Sequence, residues 1–283
     1  MNVKDSIKWF MQGFAMGLAN MMPGISGGTI ALIMGIYERL IHAINTIPLK
    51  SSFTIFSGRK EKLIKELKEV DYEFLFPLII GVGLATLILA LLIGAFIEDY
   101  RGITFSFFFG LILASAGILY HKIEHFEAPM FIPGLVGFFF SFYIVGLSPF
   151  GANHSLPVIF LSGLLSIPSM ILPGISGSTI LVILQQWDYL RKALTQIDIL
   201  VIVTFMSGAI TGLFSFAKIV DFLFERYIKA TLVFLFGLVL GGLREPAKEA
   251  FATNPSFLEW VIPATIGALL VSVLDCFYRL KSD

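Results

Sequence analysis

The sequence predicts an all-α integral membrane protein built from two inverted-topology repeats, each a broken re-entrant helical hairpin plus three transmembrane helices. Three observations carry this: the composition, a five-residue string that occurs twice, and the side-to-side distribution of basic residues. Of 283 residues, 57% are hydrophobic and only 14% charged, against about 25% charged in soluble domains. Residues 74–97 hold no charged side chain over 24 positions, enough for a helix to cross a hydrocarbon core about 30 Å thick. With 20 basic and 20 acidic residues, the chain lacks the clustered positive surface that nucleic acid demands. The lone Cys276 allows no intrachain disulfide, and the spacing of His42, His121, His125 and His154 suits no metal.

The first repeat, residues 1–150, opens with a hairpin over 7–44 whose arms, 7–22 and 25–44, are separated by Pro23-Gly24. Proline removes a backbone donor and glycine loosens the chain, so a helix stops there. The first arm is 16 residues long, short for a full crossing, so the chain turns and leaves on the side it entered. Such a turn must be buried in protein or line a wet cavity, because lipid offers free backbone groups no partner. Within residues 1–10, Lys4 and Lys8 precede an apolar stretch and resemble the start of a signal peptide, but no small-residue cleavage site follows, and the segment is expected to be retained. In the polar stretch 57–73, Leu63, Ile64, Leu67 and Val70 recur at helical spacing between charges. That pattern fits an amphipathic surface helix or a solvated connector helix. Transmembrane helices follow at 74–97, 103–120 and 130–148. The second repeat, residues 151–283, restarts the pattern: a hairpin over 157–187 broken at Pro173-Gly174, then transmembrane helices at 197–217, 229–243 and 258–279.

The repeat is legible residue by residue. Pro23-Gly24-Ile25-Ser26-Gly27 returns as Pro173-Gly174-Ile175-Ser176-Gly177, an offset of 150 that also relates Thr29-Ile30 to Thr179-Ile180, Phe10 to Phe160, Gly13 to Gly163 and Leu40 to Leu190. A second register, offset 127, relates Asp71, Gly81, Glu98, Tyr100, Phe109 and Gly110 to Asp198, Gly208, Glu225, Tyr227, Phe236 and Gly237. A third, offset 130, relates Ile132, Pro133 and Gly137 to Ile262, Pro263 and Gly267. A re-entrant hairpin plus three crossings is an odd number of crossings, so the second half starts on the opposite side of the membrane. With both termini in the cytoplasm, 15 of the 20 Lys and Arg fall inside and five outside (Arg101, Arg191, Lys192, Arg244 and Lys248), as the positive-inside rule requires.

Inverted halves with broken helices form a transporter plan, with the site where the repeats meet. In the first copy, Gly24, Gly27 and Gly28 let backbone approach a ligand, and Ser26 and Thr29 add hydroxyls. The helix starting there offers unpaired N–H groups and the positive end of its dipole. The second copy supplies Gly174, Ser176, Gly177, Ser178 and Thr179. Two such N-termini meeting from opposite sides would form a donor-rich cup for an anion, and a phosphate suits it by offering several acceptor oxygens. The bland alternative is that Ser26 and Ser176 only cap their helices while the glycines allow close packing. Asn20, beside the first break, either donates to the ligand or stitches the turn. The string is not an ATPase phosphate loop, since no Lys follows it. Arg244 is the leading cationic partner, with Arg39, Arg191 and Lys192 as further candidates; the alternative for each is an interfacial or snorkelling charge. Glu38, Glu98, Glu225 and Asp188 sit near membrane edges, where they pair locally or, with Arg39, serve coupling or gating.

The strings 21–40, MMPGISGGTIALIMGIYERL, and 170–184, MILPGISGSTILVIL, resemble the paired signatures of the DUF368 family of bacterial polyprenyl-phosphate transporters. The likeness covers nearly the whole chain. It implies signature positions at Pro23, Gly24, Ser26, Gly27, Gly28 and Thr29, and at Pro173, Gly174, Ser176, Gly177 and Ser178. It further implies a multi-pass protein of the bacterial cytoplasmic membrane that returns undecaprenyl phosphate, the lipid carrier of envelope polymer synthesis, to the cytoplasmic leaflet. The family often has Asp near Asn20, and an apolar turn where this chain reads Gln185-Gln186-Trp187.

On this reading the phosphate head rests in the cup. The prenyl tail stays in lipid along aromatic-rich helices, past Phe105, Phe107, Phe108 and Phe109. No cofactor is implied, and the expected partners are the polyprenyl phosphate and membrane lipids, with a coupling ion, proton or sodium, where an ion gradient rather than substrate flow drives transport. Two other readings use the same residues. A transporter of a small soluble anion or organic acid would need a closed aqueous path. An intramembrane lipid phosphatase would need a nucleophile or base, for which His154, beside Asn153 and Ser155, is the one candidate. A protein that transports nothing would tolerate loss of Ser26 and Ser176.

Overall fold

The computed structural model describes residues 3–20, 26–48, 66–123, 128–149 and 151–279, and all regular structure among them is helical. The amphipathic stretch 57–73 lies outside the described residues as far as 65; 66–69 are helical. The first half comprises α1 (Val3–Asn20), α2 (Gly27–Ile33), α3 (Tyr37–Asn45), α4 (Tyr72–Asp99), α5 (Arg101–Lys122) and α6 (Phe131–Val145). The second comprises α7 (Leu156–Ile171), α8 (Gly177–Ile183), α9 (Trp187–Gln196), α10 (Ile199–Gly242), α11 (Arg244–Phe251) and α12 (Phe257–Arg279).

The sequence suggests one helical arm over 25–44, but the structure divides it into α2 and α3. The reason is Gly35, whose φ of 69° is left-handed. Around it the Gly35 amide bonds Leu32 O (3.2 Å) and the Ile36 amide bonds Ala31 O (2.9 Å), the paired closure that satisfies orphan carbonyls at a helix end. The same turn closes α8. Gln185, 150 residues on, has φ 52°, its amide bonds Val182 O (3.0 Å), and the Gln186 amide bonds Leu181 O (2.8 Å). The 185–187 string is therefore a left-handed helix stop built without glycine.

As a straight rod the 44 residues of α10 would run about 66 Å. The helix breaks instead at Tyr227 (φ −137°, ψ 43°). Thr231 Oγ1 lies 3.0 Å from Leu223 O, eight residues back, a separation of about 12 Å in an unbroken helix. The chain thus folds sharply into two arms. Tyr100, between α4 and α5, has nearly the same conformation (φ −125°, ψ 34°).

Four helix pairs form the frame: α1 on α4, α7 on the first arm of α10, α6 on its second arm, and α5 on α12. Glycines permit the close approach that packs helices in lipid. Gly13 faces the Leu78 carbonyl and Gly81 that of Phe10; Gly163 faces Phe205 and Gly208 faces Phe160. Likewise Gly110 faces Ala264 and Gly267 faces Phe107, while Gly237 faces Gly134 and Gly137 faces Phe234. A Cβ at any of these would overlap a carbonyl oxygen. The core joins both halves: Tyr37, Ile41, Phe74, Leu78, Leu235 and Leu238 are buried in one cluster that also takes Ile175 of the second motif.

The exterior is apolar. On α6, Phe131, Ile132, Leu135, Val136, Phe139 and Tyr143 are each more than half exposed, far beyond the scattered apolar side chains of a water-facing helix. Among the described residues, Arg101–His121 and the stretch Ile199–Phe251 are long and apolar enough to cross a bilayer, and shorter apolar helices stand beside them. The molecule is a membrane protein.

Candidate functional site

The second break begins where α7 ends. Pro173 has no N–H, so the helix cannot continue past it, and the last carbonyls of α7 need partners from elsewhere. One comes from the other half of the chain: Ser26 Oγ donates to Met170 O (2.7 Å). The Gly174 amide donates to Thr29 Oγ1 (3.1 Å), and Ser141 Oγ of α6 donates to Gly174 O (3.0 Å). Gly174 has φ +81° and lies against the Leu238 carbonyl of α10, where a side chain would be both strained and blocked. Gly28 is pressed against Ile171 O in the same way. The start of α2 and the chain at 170–174 are thus in direct contact, with Ser26, Gly28 and Gly174 buried.

The two copies are not equivalent in detail. Ser26, 1% exposed, caps α2 by accepting from the Gly28 amide (3.0 Å), and Asn20 Oδ1 accepts from the Gly27 amide (2.7 Å). The first amides of α2 are therefore used internally, and Asn20 stitches the turn. Ser176 precedes α8 in the same extended conformation, but its side chain caps nothing. Its Oγ lies 2.6 Å from Ser178 Oγ, and among the described residues the Gly177 and Ser178 amides find no acceptor. Gly177 packs on Met170 and Ser166 O. Thr179, 9% exposed, donates to the Glu245 carboxylate, whose oxygens lie 2.9 and 3.1 Å away. The second copy thus holds a Ser176–Ser178 hydroxyl pair and two amides without an acceptor among the described residues, with Thr179 alone bound to the acid.

The remaining candidates lie elsewhere. Arg244 turns from the motifs to the end of α6, donating to Phe142 O (2.6 Å) with its guanidinium 4.3 Å from the Phe142 ring centre; the unpaired carbonyls of a helix C-terminus attract a cation. Arg39 pairs with Asp71 (2.8 Å) and stacks on Trp9 and Phe74. Glu38 and Glu225 are exposed. Gly24 and the Glu98 side chain lie outside the described residues. His154 stacks on Tyr189 with ring centres 4.1 Å apart and bonds the buried Gln186 (3.2 Å), which also donates to Asn153 O (2.8 Å); it works as a loop anchor for α9.

Two acids that sequence reasoning passed over are bound to the hairpins. Glu245 reaches Thr179 as described, its only sequence signal being its place beside Arg244. Asp221, with 11% of its side chain exposed, accepts from Asn45 Nδ2 (2.5 Å) and lies 3.3 Å from His42 Nδ1. It joins α10 to α3.

A family model described as undecaprenyl phosphate translocase-like matches residues 16–254. A polyprenyl-phosphate transporter of Vibrio cholerae is 34% identical over 245 residues, covering 86% of this chain and 79% of the relative. A polyprenyl-phosphate transporter of Staphylococcus aureus is 28% identical over 266 residues, covering 84% of this chain and 86% of the relative. No solved structure matches. The matched span takes in both motif copies, the hydroxyl cluster at 176–179 and Glu245, and the chain belongs to the undecaprenyl phosphate translocase-like family.

Proposed function

We propose that this protein carries undecaprenyl phosphate, or a related polyprenyl phosphate, across the bacterial cytoplasmic membrane, returning the carrier of envelope synthesis to the inner leaflet. The observation that carries the reading is the contact between the two motif copies, with an open group of donors on one side of it. The phosphate head binds at Ser176, Ser178 and Thr179 and at the Gly177 and Ser178 amides, because an ionised phosphate rewards convergent donors. The first copy, through Ser26 and Thr29, holds the backbone at 170–174 in place. The prenyl tail lies along the lipid-facing groove lined by Tyr120, Phe131, Leu135, Phe138, Phe236 and Leu240.

The two halves are inverted repeats, each a re-entrant hairpin with three spanning helices, and both termini are cytoplasmic. The matched glycine contacts, the paired helix stops at Gly35 and Gln185, the matched breaks at Tyr100 and Tyr227, and the inside excess of basic residues support this. The protein acts as a transporter rather than an enzyme, with a proton or sodium ion as the coupling ion.

The test is leaflet exchange of labelled undecaprenyl phosphate in liposomes holding the full chain. A hydrogen bond to an ionised group contributes about 1.5–3 kcal/mol, so Ser178→Ala combined with Thr179→Val is expected to slow exchange at least tenfold while the protein stays folded. Absence of lipid exchange by the wild type, together with uptake of a soluble anion, would replace this reading with the aqueous-anion alternative.

A further inference from the structure

Within the second motif an acid occupies a donor that an anionic substrate would need. Thr179 has one hydroxyl proton, and the Glu245 carboxylate accepts it. Glu245 comes from α11, 66 residues away, so the contact joins hairpin α8 to the second arm of α10 through α11. A phosphate seated on Ser176, Ser178 and Thr179 must compete for that proton, and an ionised carboxylate beside it would repel it.

We propose that Glu245 gates the second motif: it holds Thr179 in this conformation, and an incoming phosphate monoester displaces it, so the site binds substrate best with Glu245 protonated. This rests on the second motif being the phosphate site. The charged neighbours are few. On α11 they are Arg244, which is turned to Phe142 of α6, Lys248 and Glu249. Glu249 is paired with Arg101 of α5. Glu259 on α12, whose Trp260 stacks on Phe251 of α11, is bound to Ser256. Neither α6, α8 nor residues 230–242 of α10 carry an ionisable side chain apart from Tyr143; His121 and Lys122 lie at the far end of α5 from Arg101. Glu245 is therefore the ionisable side chain in hydrogen-bond contact with the Thr179 hydroxyl, with Lys248 and Glu249 as its charged neighbours on α11 and Asp188, Arg191 and Lys192 on the adjoining α9.

The experiment titrates the detergent-solubilised full chain and its Glu245→Gln variant with farnesyl phosphate at pH 6 and pH 8. The probe's own ionisation is common to both proteins, so the ratio of their affinities isolates Glu245. Glu245→Gln is expected to bind about tenfold tighter than wild type at pH 8, with the ratio shrinking toward one as the wild-type acid takes up a proton. Glu245→Asp, which keeps the charge, should retain the wild-type trend with pH. Equal affinities of Glu245→Gln and wild type at both pH values, or weaker binding by the variant, would overturn the gate. Ser178→Ala with Thr179→Val separates the two levels. If this pair weakens binding while Glu245→Gln matches wild type, the gate alone fails; if the pair leaves binding unchanged, the phosphate site fails and the gate with it.

Discussion

Ser26 and Ser176 occupy the same place in the repeated string, yet the structure gives them different work. Ser26 Oγ accepts from the Gly28 amide at 3.0 Å and donates to Met170 O at 2.7 Å, with 1% of the residue exposed. Ser26→Ala would strand one buried amide and remove the partner of one carbonyl. Leaving a buried group unsatisfied costs about 1–3 kcal/mol, so the two together amount to roughly 2–6 kcal/mol. At about 2–4 °C per kcal/mol for a chain of this order of size, Tm should fall by roughly 4–24 °C. Among the described residues Ser176 Oγ has one hydrogen-bond partner, Ser178 Oγ at 2.6 Å, a neutral pair contributing about 0.5–1.5 kcal/mol. Ser176→Ala should therefore lower Tm by no more than about 6 °C. The assay is thermal unfolding of both variants in one detergent, followed by intrinsic fluorescence. Equal losses in the two variants, or a larger loss for Ser176→Ala, would refute the division between a structural first copy and an open second copy.

Two further predictions concern the contacts around the motifs. Gly174→Ala forces a side chain into φ +81° against the Leu238 carbonyl; left-handed strain of about 1–2 kcal/mol plus overpacking of about 1–3 kcal/mol should deplete the monodisperse peak in size-exclusion chromatography, and a wild-type melting curve would show that 173–175 is not clamped. Asp221→Ala and Asn45→Ala, each destabilising by about 1–3 kcal/mol, should be strongly non-additive in a double-mutant cycle because they share one bond; additive losses would mean that Asp221 does not join α10 to α3.

The membrane class was legible because it depends on composition alone: a charge-free run of 24 residues has few homes outside lipid. The family was legible for a related reason. The doubled Pro-Gly-Ile-Ser-Gly string is a local feature, and the family match extends over residues 16–254 around both copies. Helix stops were half legible. Pro173 announces the end of α7 through its own backbone, whereas reading 25–44 as one arm passes over the stop at Gly35, where only the structure shows the left-handed turn. Gln185 announces nothing, because a left-handed glutamine is held by the turn around it rather than favoured by its own chemistry.

By itself the sequence determined an apolar helical chain with two like breaks, and the polar atoms brought to each. Only the tertiary structure decided how those atoms are used. Identical serines diverge because Gly28 in one copy is Ser178 in the other, because Asn20 reaches back to cap α2, and because Met170 O faces Ser26. Arg244 and Glu245 are adjacent in the chain but part company, one to the carbonyl end of α6 and the other to Thr179. A hydrogen bond depends on which backbone ends are left unpaired nearby, and that is settled by packing between segments 66 to 145 residues apart, which no local pattern encodes.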